Sequence, residues 1–521
     1  MHLKEEKITQ IRNRVDMILE DLEISSTKGT KLHEVERSIL NSLLQLGLEM
    51  LRYYIFLVTQ LVSQAEPIDK EGKKLQNKGE RLREYISVFG RLKIVRRKYY
   101  SESQKTQYKL DAALGLPAGR YSYLLEDWLA FGAVEMDFQQ SVSYIERILG
   151  HRLHGMQSGR CTYHLSEQVD SYYEEKAWPE KEQATHWSLG YDGKGVPIRR
   201  SEAARCQEST SIRLSKGKNR DIKREATVSV SSSFTARKRS VEQIIESLFS
   251  PEPKQDRVSP HREGQGEKHC WHADKHIRAF LSDKKQAINY GIENILKREA
   301  APREAAPREA TANKTSVATP GVATPGQKPI VVLIDGDRAL EKAVKKAAEN
   351  KQISHRISAY VLDFIHLLEY VWKVASVETP NAYLGEKNAQ REDWVRQQAI
   401  LLLNSQWQEA LEQWQKILTD EKLTATQAYN VKRAITYVGK RPHMIDYKTY
   451  LEKGYPITTG VVESACGHFV KSRMERNAMH WSKKGAQKML NIRAIKKNDD
   501  WNNYLESFVD KEQVNLYKNA A

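Results

Sequence analysis

Residues 460–466 read Gly460-Val461-Val462-Glu463-Ser464-Ala465-Cys466, and the segment continues through Lys471 to Met474. A turn-like Gly-Tyr-Pro and two threonines precede it, so the pattern predicts a helix that begins at Gly460 with Thr459 as its cap. Glu463 then lies in the first turn, where the helix dipole favours a carboxylate. Lys471 follows about two turns later, roughly on the same side. Taken alone, this pattern favours an ordinary surface helix.

Two upstream segments change that interpretation. Residues 186–192 and 330–335 each run as a strand and end in Asp-Gly, at Asp192 and Asp335. Two acids at strand ends and a third at a helix start are the oxygen ligands that a pair of Mg²⁺ ions requires. We therefore predict Asp192, Asp335 and Glu463 as catalytic residues and metal ligands. Asp337 remains a rival to Asp335, which we prefer because it directly follows the apolar strand.

The overall charge indicates a polyanionic partner. The chain has 521 residues and a formal net charge of +16, which is typical of proteins that bind nucleic acid. No apolar run approaches the ~18 residues of a membrane span, and the first residues lack the apolar core of a signal peptide. The four cysteines form no CxxC pair, which fits a reducing compartment. We expect a cytoplasmic, nucleoid-associated protein without a membrane partner.

The first third of the chain has a mainly helical pattern. Residues 1–80 carry leucines and isoleucines at helical spacing, which predicts a packing or dimerising helix. A hairpin is predicted around Phe89-Gly90, and its basic second arm favours either a DNA contact or a charged edge strand. Short helices are predicted at 122–135, 138–149 and 158–173. They fit a helix-turn-helix reader of DNA or a plain helical bundle, so 81–178 is predicted as the DNA-binding region.

The middle of the chain alternates between strands and helices. A strand at 186–192, a turn at Gly193-Lys194-Gly195, a returning strand at 196–198 and a third strand at 226–234 are expected, followed by helices at 241–249 and 277–297. Repeats rich in Ala and Pro then predict a flexible loop at 298–328. A buried strand at 330–334, a helix at 339–348 and a strand at 358–363 complete a core spanning 179–380.

Two residues after the last of these strands are candidates for orienting the metal ligands. Asp363 and His366 lie where the strand passes into the next helix; the alternative is a helix cap and its neighbour. Residues 381–453 read as an inserted helical module, and its tryptophans are more simply core residues than base-stacking platforms. The closing helix and a basic tail occupy 454–521.

This order of elements resembles the ribonuclease H-like fold of DDE transposases and integrases. Four local motifs are similar to insertion-sequence transposases of the ISKra type: Tyr191–Pro197, Leu333–Arg338, Leu362–Tyr370 and Ile457–His468. The likeness covers residues from about Tyr85 to the end, and the last motif is the most specific. Paired cysteines that such proteins often carry after the early hairpin are absent from Tyr99-Tyr100-Ser101-Glu102-Ser103.

The resemblance implies a fold and a function. The fold would be an α/β catalytic core of the ribonuclease H-like type, a mixed sheet flanked by helices, with a helical insertion and a mainly helical N-terminal region. The protein would be a DDE transposase that binds the terminal inverted repeats of its element and cleaves and joins DNA strands. Two Mg²⁺ ions would be its cofactors, with Mn²⁺ as a substitute. Lys471, Arg473 and Arg476 would contact the DNA backbone, and the partners would be double-stranded DNA at the element's ends and target.

Joining two ends implies a homodimer or a higher assembly on DNA. Two alternatives stay open. One is a DNA nuclease of the same fold that performs no strand transfer. The other is a DNA-binding protein that has lost catalysis.

Overall fold

The computed structural model describes twelve stretches of the chain: residues 2–64, 67–68, 73–101, 105–153, 156–178, 184–203, 223–249, 273–300, 327–379, 386–420, 422–476 and 479–518. They form two compact units. One comprises residues 1–175 with 491–521, and the other comprises 176–490. The predicted C-terminal segment, 454–521, is therefore divided: residues 454–490 belong to the second unit and residues 491–521 to the first.

The first unit begins with two long helices, a small sheet and a set of shorter helices. Their bounds are α1 (His2–Thr27), α2 (Leu32–Gln64), β1 (Gln76–Ser87), β2 (Gly90–Ser101), β3 (Lys105–Gln107), α3 (Lys109–Ala113), α4 (Tyr123–Glu135), α5 (Phe138–Leu149), α6 (Met156–Leu165) and α7 (Val169–Glu175). Strands β1 and β2 form an antiparallel hairpin that closes at Ser87 and Gly90. The structure therefore confirms the predicted hairpin and helical N-terminal region.

The predicted helix at 158–173 is wrong as a single element. The chain forms α6 and α7 instead, separated by a turn at Ser166, whose hydroxyl donates to the Tyr163 carbonyl. Helices α4 and α5 confirm the two predicted helices before it, with Ser122 and Asp137 as their caps. Helix α4 packs against both α5 and α6, so these helices form a small bundle, and a helix-turn-helix role stays a prediction.

The second unit contains the larger sheet and most of the remaining helices. Its elements are β4 (His186–Pro197), α8 (Arg200–Ala203), β5 (Lys223–Phe234), α9 (Val241–Phe249), β6 (Ala273–Leu281), α10 (Lys284–Ala300), β7 (Ile330–Ile334), α11 (Arg338–Asn350), β8 (Ile357–Leu362), α12 (Phe364–Glu378), α13 (Glu386–Leu403), α14 (Trp407–Ile417), α15 (Ala425–Gly439), α16 (Tyr447–Glu452), α17 (Gly460–Ala465) and α18 (Ser472–Met474). A π-helical turn, Cys466–Lys471, joins α17 to α18. The chain continues through α19 (Lys483–Lys497) to α20 (Trp501–Tyr517), which belongs to the first unit.

The larger sheet is mixed, with strand order β6-β5-β4-β7-β8. The pairs β6–β5 and β5–β4 are antiparallel, whereas the pairs β4–β7 and β7–β8 are parallel. All five residues of β7 are buried, as its unbroken apolar pattern predicts. The protein therefore has the predicted mixed α/β core flanked by helices.

Two predictions about this sheet are wrong. The chain makes no turn at Gly193-Lys194-Gly195, because these residues pair with Thr227, Ala226 and Glu225 in an unbroken ladder of twelve residue pairs. The residues from Ile277 to Leu281 form β6 rather than the start of a helix, and Ile277 pairs with Val230 of β5. The spacing of apolar residues in this segment predicted the hydrogen bonds of a helix. Its main chain bonds to β5 instead, a strand distant in the sequence.

The helical pattern predicted for residues 381–453 agrees with helices α13 to α16, which lie between residues 386 and 452; that these helices form an inserted module stays a prediction. Trp414 is fully buried, and Trp394 and Trp407 pack against the same core, so these tryptophans stabilise the module. Residues 301–326, which contain most of the predicted repeat loop, lie outside the described residues. None of the helices that the structure describes combines the length and apolar character that a membrane span requires.

Candidate active site

Three aspartates lie side by side on three neighbouring parallel strands: Asp335 and Asp363 directly follow β7 and β8, and Asp192 lies within β4 where its pairing with β7 ends. Tyr191 of β4 is level with Ile334 of β7, and Ile334 is level with Leu362 of β8. The next residue on each strand is an aspartate: Asp192, Asp335 and Asp363. The carboxyl edge of parallel strands is where α/β sheets place their ligands, so the fold brings together acids that are far apart in the sequence.

Helix α17 brings the fourth acid, Glu463, to the same place. Its Val462 packs directly on Gly190 of β4: a Cβ added at residue 190 would lie 2.3 Å from Val462 Cγ2. Gly190 and Asp192 are on the same face of β4, because side chains alternate along a strand. Only a glycine allows this approach, which positions Glu463 close enough to Asp192 for their charges to interact.

The turn after β7 distinguishes Asp335 from its rival Asp337. Gly336 between them has φ of 91°, a conformation that favours glycine. Asp337 caps α11 by accepting from Ala339 N at 2.8 Å, and it forms an ion pair with Lys284 Nζ at 2.9 Å. The Asp335 carboxylate accepts from Asp337 N at 3.0 Å and makes no other hydrogen bond among the described residues. Asp335 therefore keeps the free oxygen lone pairs that a metal ligand needs.

Asp363 is fully buried and joins two helices. One of its oxygens caps α12, accepting from Ile365 N at 2.8 Å and His366 N at 3.3 Å. The other accepts from Thr459 N at 3.1 Å and from the Thr459 hydroxyl. Thr459 stands at the predicted cap position, yet its side chain makes no cap bond to its own helix. Asp363 thus fixes the start of the helix that carries Glu463, which fits both the helix-cap and the orienting interpretations.

His366 lies beside Asp335 and two tyrosines. Its ring makes edge contacts with Tyr370 and Tyr437 at centroid distances of 5.8 and 6.0 Å. The Tyr437 hydroxyl donates to the main-chain oxygen of Asp335 at 2.6 Å. His366 therefore packs against Tyr437, the residue that bonds to the main chain of Asp335.

Burial and neighbouring acids raise the pKa values of Glu463 and Asp335. Burial raises the pKa of Glu463 to about 7, with further contributions from the charge of Asp363, a hydrogen bond to it, and the charge of Asp192. Burial and then the charge of Asp192 raise the pKa of Asp335. Carboxylates that repel one another in this way gain most from a bound cation. The raised pKa values therefore mark this edge of the sheet as a cation-binding candidate.

The donor chemistry fits Mg²⁺, because every candidate ligand is a carboxylate oxygen. Across the part of the chain that the structure describes, no three His, Cys, Asp or Glu side chains lie close enough together to hold one ion. The Asp192 carboxylate accepts from Gly193 N at 2.6 Å. The acids thus share one region and interact with one another, while their side chains do not form a closed set of ligands.

The three predicted DNA-contacting cations do not share one environment. Lys471 and Arg476 are exposed, but Arg473 is fully buried. Its Nη1 lies 3.0 Å from Met479 Sδ, and its guanidinium stacks over Trp481 with 4.9 Å to the ring centroid. Arg473 therefore packs inside the protein, and its predicted contact with DNA does not fit the structure. The π-helical turn before α18 also shifts the register between Glu463 and Lys471 from that of a regular helix.

Sequence reasoning missed the roles of three residues that shape the site. Gly190 makes room for α17, Thr459 bonds to Asp363, and Cys466 is a buried thiol whose pKa is raised by burial and by the Asp192 carboxylate beside it. The glycine two residues before Asp192 was the available signal for the first. The other two depend on contacts between distant segments.

No protein-family model matches the sequence, and no curated protein matches it. Function must therefore be inferred from the residues and their geometry.

Proposed function

We propose that this chain is a metal-dependent DDE transposase of the ISKra type, with a ribonuclease H-like catalytic core. The observation that carries the proposal is the convergence of Asp192, Asp335 and Glu463 from two parallel strands and a helix. The element order agrees with the resemblance: three antiparallel strands, a helix, β7 with its acid, a helix, β8, a helical module, and a helix that carries the last acid.

In this proposal Asp192, Asp335 and Glu463 hold two Mg²⁺ ions, which Mn²⁺ can replace. Such ions lower the pKa of an attacking water and stabilise the leaving oxygen of a phosphodiester. Asp363 and Thr459 fix the start of α17 so that Glu463 faces the strand ends, and His366 supports the segment that carries Asp335. The buried Arg473 packs against Trp481 and is given no contact with DNA in this proposal.

The substrate would be double-stranded DNA at the element's ends and at its target. The net charge of +16 supports a polyanionic partner, and the exposed Lys471 and Arg476 follow the helix that carries Glu463. These cations would contact phosphates and so position the DNA without reading its sequence. We further propose a homodimer or higher assembly on DNA, because transposition joins two ends.

The direct test is a cleavage assay with purified protein, Mg²⁺ and DNA fragments that span each flank of the gene. Wild type is expected to cut at the element's end and to give joined product, whereas Glu463→Gln gives neither. Glu452→Gln, the same substitution at an exposed glutamate of α16, is the matched control and should behave as wild type.

Three other outcomes would replace the proposal. Nicking without preference for an end, and without joined product, would identify a nuclease of the same fold. DNA binding without any cleavage by wild type would identify a binding protein that has lost catalysis. Cleavage that persists in Glu463→Gln would show that the third acid is wrongly assigned.

A further inference from the structure

A strongly basic cleft lies beside the candidate acids, on the inserted helical module. It is formed by α15, α12 and the first turn of α11, and it encloses about 430 Å³. Five cationic side chains line it, and no carboxylate does: Arg338, Lys432, Arg433, Lys440 and Arg441. Among the described residues none of these five forms an ion pair with an acid. A concave wall of unneutralised positive charge attracts an anion.

The cleft also carries aromatic surface. Tyr370 and Tyr437 stack on each other in its wall, with ring centroids 4.0 Å apart and planes 13° from parallel. Tyr429 lines the same cleft and is 61% exposed, so its ring face is accessible. Positive charge that follows a backbone, together with tyrosines on which bases stack, is the combination that binds single-stranded nucleic acid.

The size of the cleft favours an unpaired strand over a duplex. A volume of about 430 Å³ is that of a small-ligand pocket. It suits a nucleotide that has left the double helix, since the width of a duplex requires a broad, open surface. Binding an extruded nucleotide in a pocket is a known way for enzymes to gain access to strands of a duplex.

The wall of the cleft is bonded directly to the segment that follows β7. The Tyr437 hydroxyl donates to the Asp335 carbonyl at 2.6 Å, and Arg441 Nε donates to the Gly336 carbonyl at 2.9 Å. The cleft and the second acid are therefore held in fixed relation within one unit. A strand bound in the cleft would lie next to the carboxylates.

We propose that this cleft binds a short single-stranded segment of nucleic acid, with its phosphates on Lys432, Arg433 and Lys440 and a base stacked on Tyr429. The position of the cleft gives it a role in the proposed function, since it would hold an unpaired strand of the substrate beside the acids. The strand binding itself requires no divalent ion and no cleavage, so it can be tested separately.

The test uses fluorescence anisotropy of the full chain with a labelled single strand of about 12 nucleotides, a length within single-strand site sizes, and with the duplex of the same sequence. EDTA is present throughout, so cleavage does not contribute. The variant is Lys432→Glu with Arg433→Glu. The matched control is Lys416→Glu with Lys422→Glu, which makes the same charge change at exposed lysines of the module outside the cleft.

We expect the cleft variant to bind the single strand about tenfold more weakly than wild type, and the control to differ by less than about twofold. Because each phosphate contact to a single strand contributes about 0.7 to the slope of log K against log salt, the variant should lose about 1.4 of that slope. Equal weakening by variant and control would show that only general charge matters, and would overturn the proposal.

A second pair of variants tests stacking. Tyr429→Ala should weaken single-strand binding by about tenfold, in line with the loss of one stacked base, whereas Tyr429→Phe keeps the ring face and should bind as wild type. If Lys432→Glu with Arg433→Glu weakened binding of the duplex as much as binding of the single strand, the cleft would be assigned to a duplex backbone instead, against the proposal. If the cleft variants bind the single strand normally while wild type cleaves DNA, the cleft proposal fails and the proposed function holds. If wild type does not cleave DNA but the cleft variants lose single-strand binding, the proposed function fails and the cleft proposal holds.

Discussion

Glu463 sits in an unfavourable environment for a carboxylate when no cation is bound. Its pKa is raised from 4.5 to about 7 by burial and by Asp363, Asp192 and Glu369. A group whose pKa is higher in the folded protein than in the unfolded chain stabilises the fold below the unfolded value, and that stability is lost as pH rises through the folded value. The charged form of Glu463 therefore lowers stability above about pH 7.

Replacing this carboxylate should make the protein more stable and less responsive to metal. Without divalent ions at pH 8, Glu463→Gln is expected to melt at a higher temperature than wild type, because the neutral amide removes the repulsion. The gap should close below about pH 4.5. Added Mg²⁺ should raise the midpoint of wild type and leave that of Glu463→Gln nearly unchanged. Thermal unfolding checks this, with Glu452→Gln as control. A variant that is less stable than wild type at pH 8 would contradict it.

The choice between Asp335 and Asp337 is also a question about single residues. Asp335→Asn should abolish cleavage, because its carboxylate oxygens are the ones left available. Asp337→Asn should keep cleavage within about threefold, since asparagine caps a helix nearly as well as aspartate, and only the half-exposed ion pair with Lys284 is lost. Cleavage rates and melting temperatures of both variants decide the matter. Loss of cleavage in Asp337→Asn at normal stability would reverse the assignment.

The contact between α17 and β4 is the main packing element of the candidate site. Gly190→Ala puts a methyl 2.3 Å from Val462 Cγ2, and Val462 is itself buried, so α17 must move away from the strand. Overpacking of this kind costs about 1–3 kcal/mol, and it displaces Glu463. We expect a folded protein with at least about tenfold weaker cleavage.

The double variant Gly190→Ala with Val462→Ala removes the clashing methyl and provides the control. It should recover much of the activity that the single change at Gly190 loses, although Val462→Ala alone should cost stability through the cavity it leaves. Cleavage rates and circular dichroism of the three variants form a double-mutant cycle. Additive losses would show that the two residues do not act through this contact.

The local sequence pattern predicted most elements of the second unit, residues 176–490, but not all of the strand pairings. Neighbouring residues alone predict the strand β7, the helix after Asp337 and the helices between residues 386 and 452, and the structure has all of them. Strand β6 was missed because it buries His276 and Arg278, polar residues that local pattern does not assign to a buried strand. Its identity depends on pairing with β5 at residues 226–233, which no short window contains.

The same limit applies to the candidate site. Asp335 and Glu463 could be predicted because they stand at the end of a strand and at the start of a helix. Asp192 was predicted at a strand end, but β4 continues beyond it to Pro197. The burial of Arg473 could not be predicted, because the stacking on Trp481 that accounts for it depends on how the chain turns after α18. The basic cleft could not be predicted either, because its cations come from α11 and from α15 with the two residues after it, about a hundred residues apart in the chain.

At the scale of the whole molecule, the first unit is assembled from both ends of the chain. Helix α20 returns to the N-terminal unit and packs against α3 and α7. His164 of α6 lies between two largely buried carboxylates: its Nδ1 is 3.2 Å from Glu126 Oε2 of α4, and its Nε2 is 3.0 Å from Glu512 Oε1 of α20. An ion triad thus joins segments between which the entire second unit lies in the sequence.

This triad should make the stability of the first unit depend on pH in the alkaline range. Hydrogen bonds to Glu126 and Glu512 raise the pKa of His164 from 6.5 to about 10. Its stabilising effect is therefore complete below pH 6.5 and is lost as pH rises through about 10. Removing one partner of a buried ion pair costs about 3–5 kcal/mol. We expect the loss of unfolding free energy in His164→Gln at pH 7 to lie near the lower end of this range, because the His164 side chain is 29% exposed.

Denaturant unfolding of wild type and His164→Gln at pH 7 and pH 10 measures this difference directly, because comparing the two proteins at each pH cancels the titration of all other groups. The gap in unfolding free energy should shrink by more than half between the two pH values. His33→Gln, the same substitution at an exposed histidine of α2, should show no gap at either pH. A gap for His164→Gln that stays constant would mean that the imidazole holds α20 by packing against Phe508 rather than by its charge.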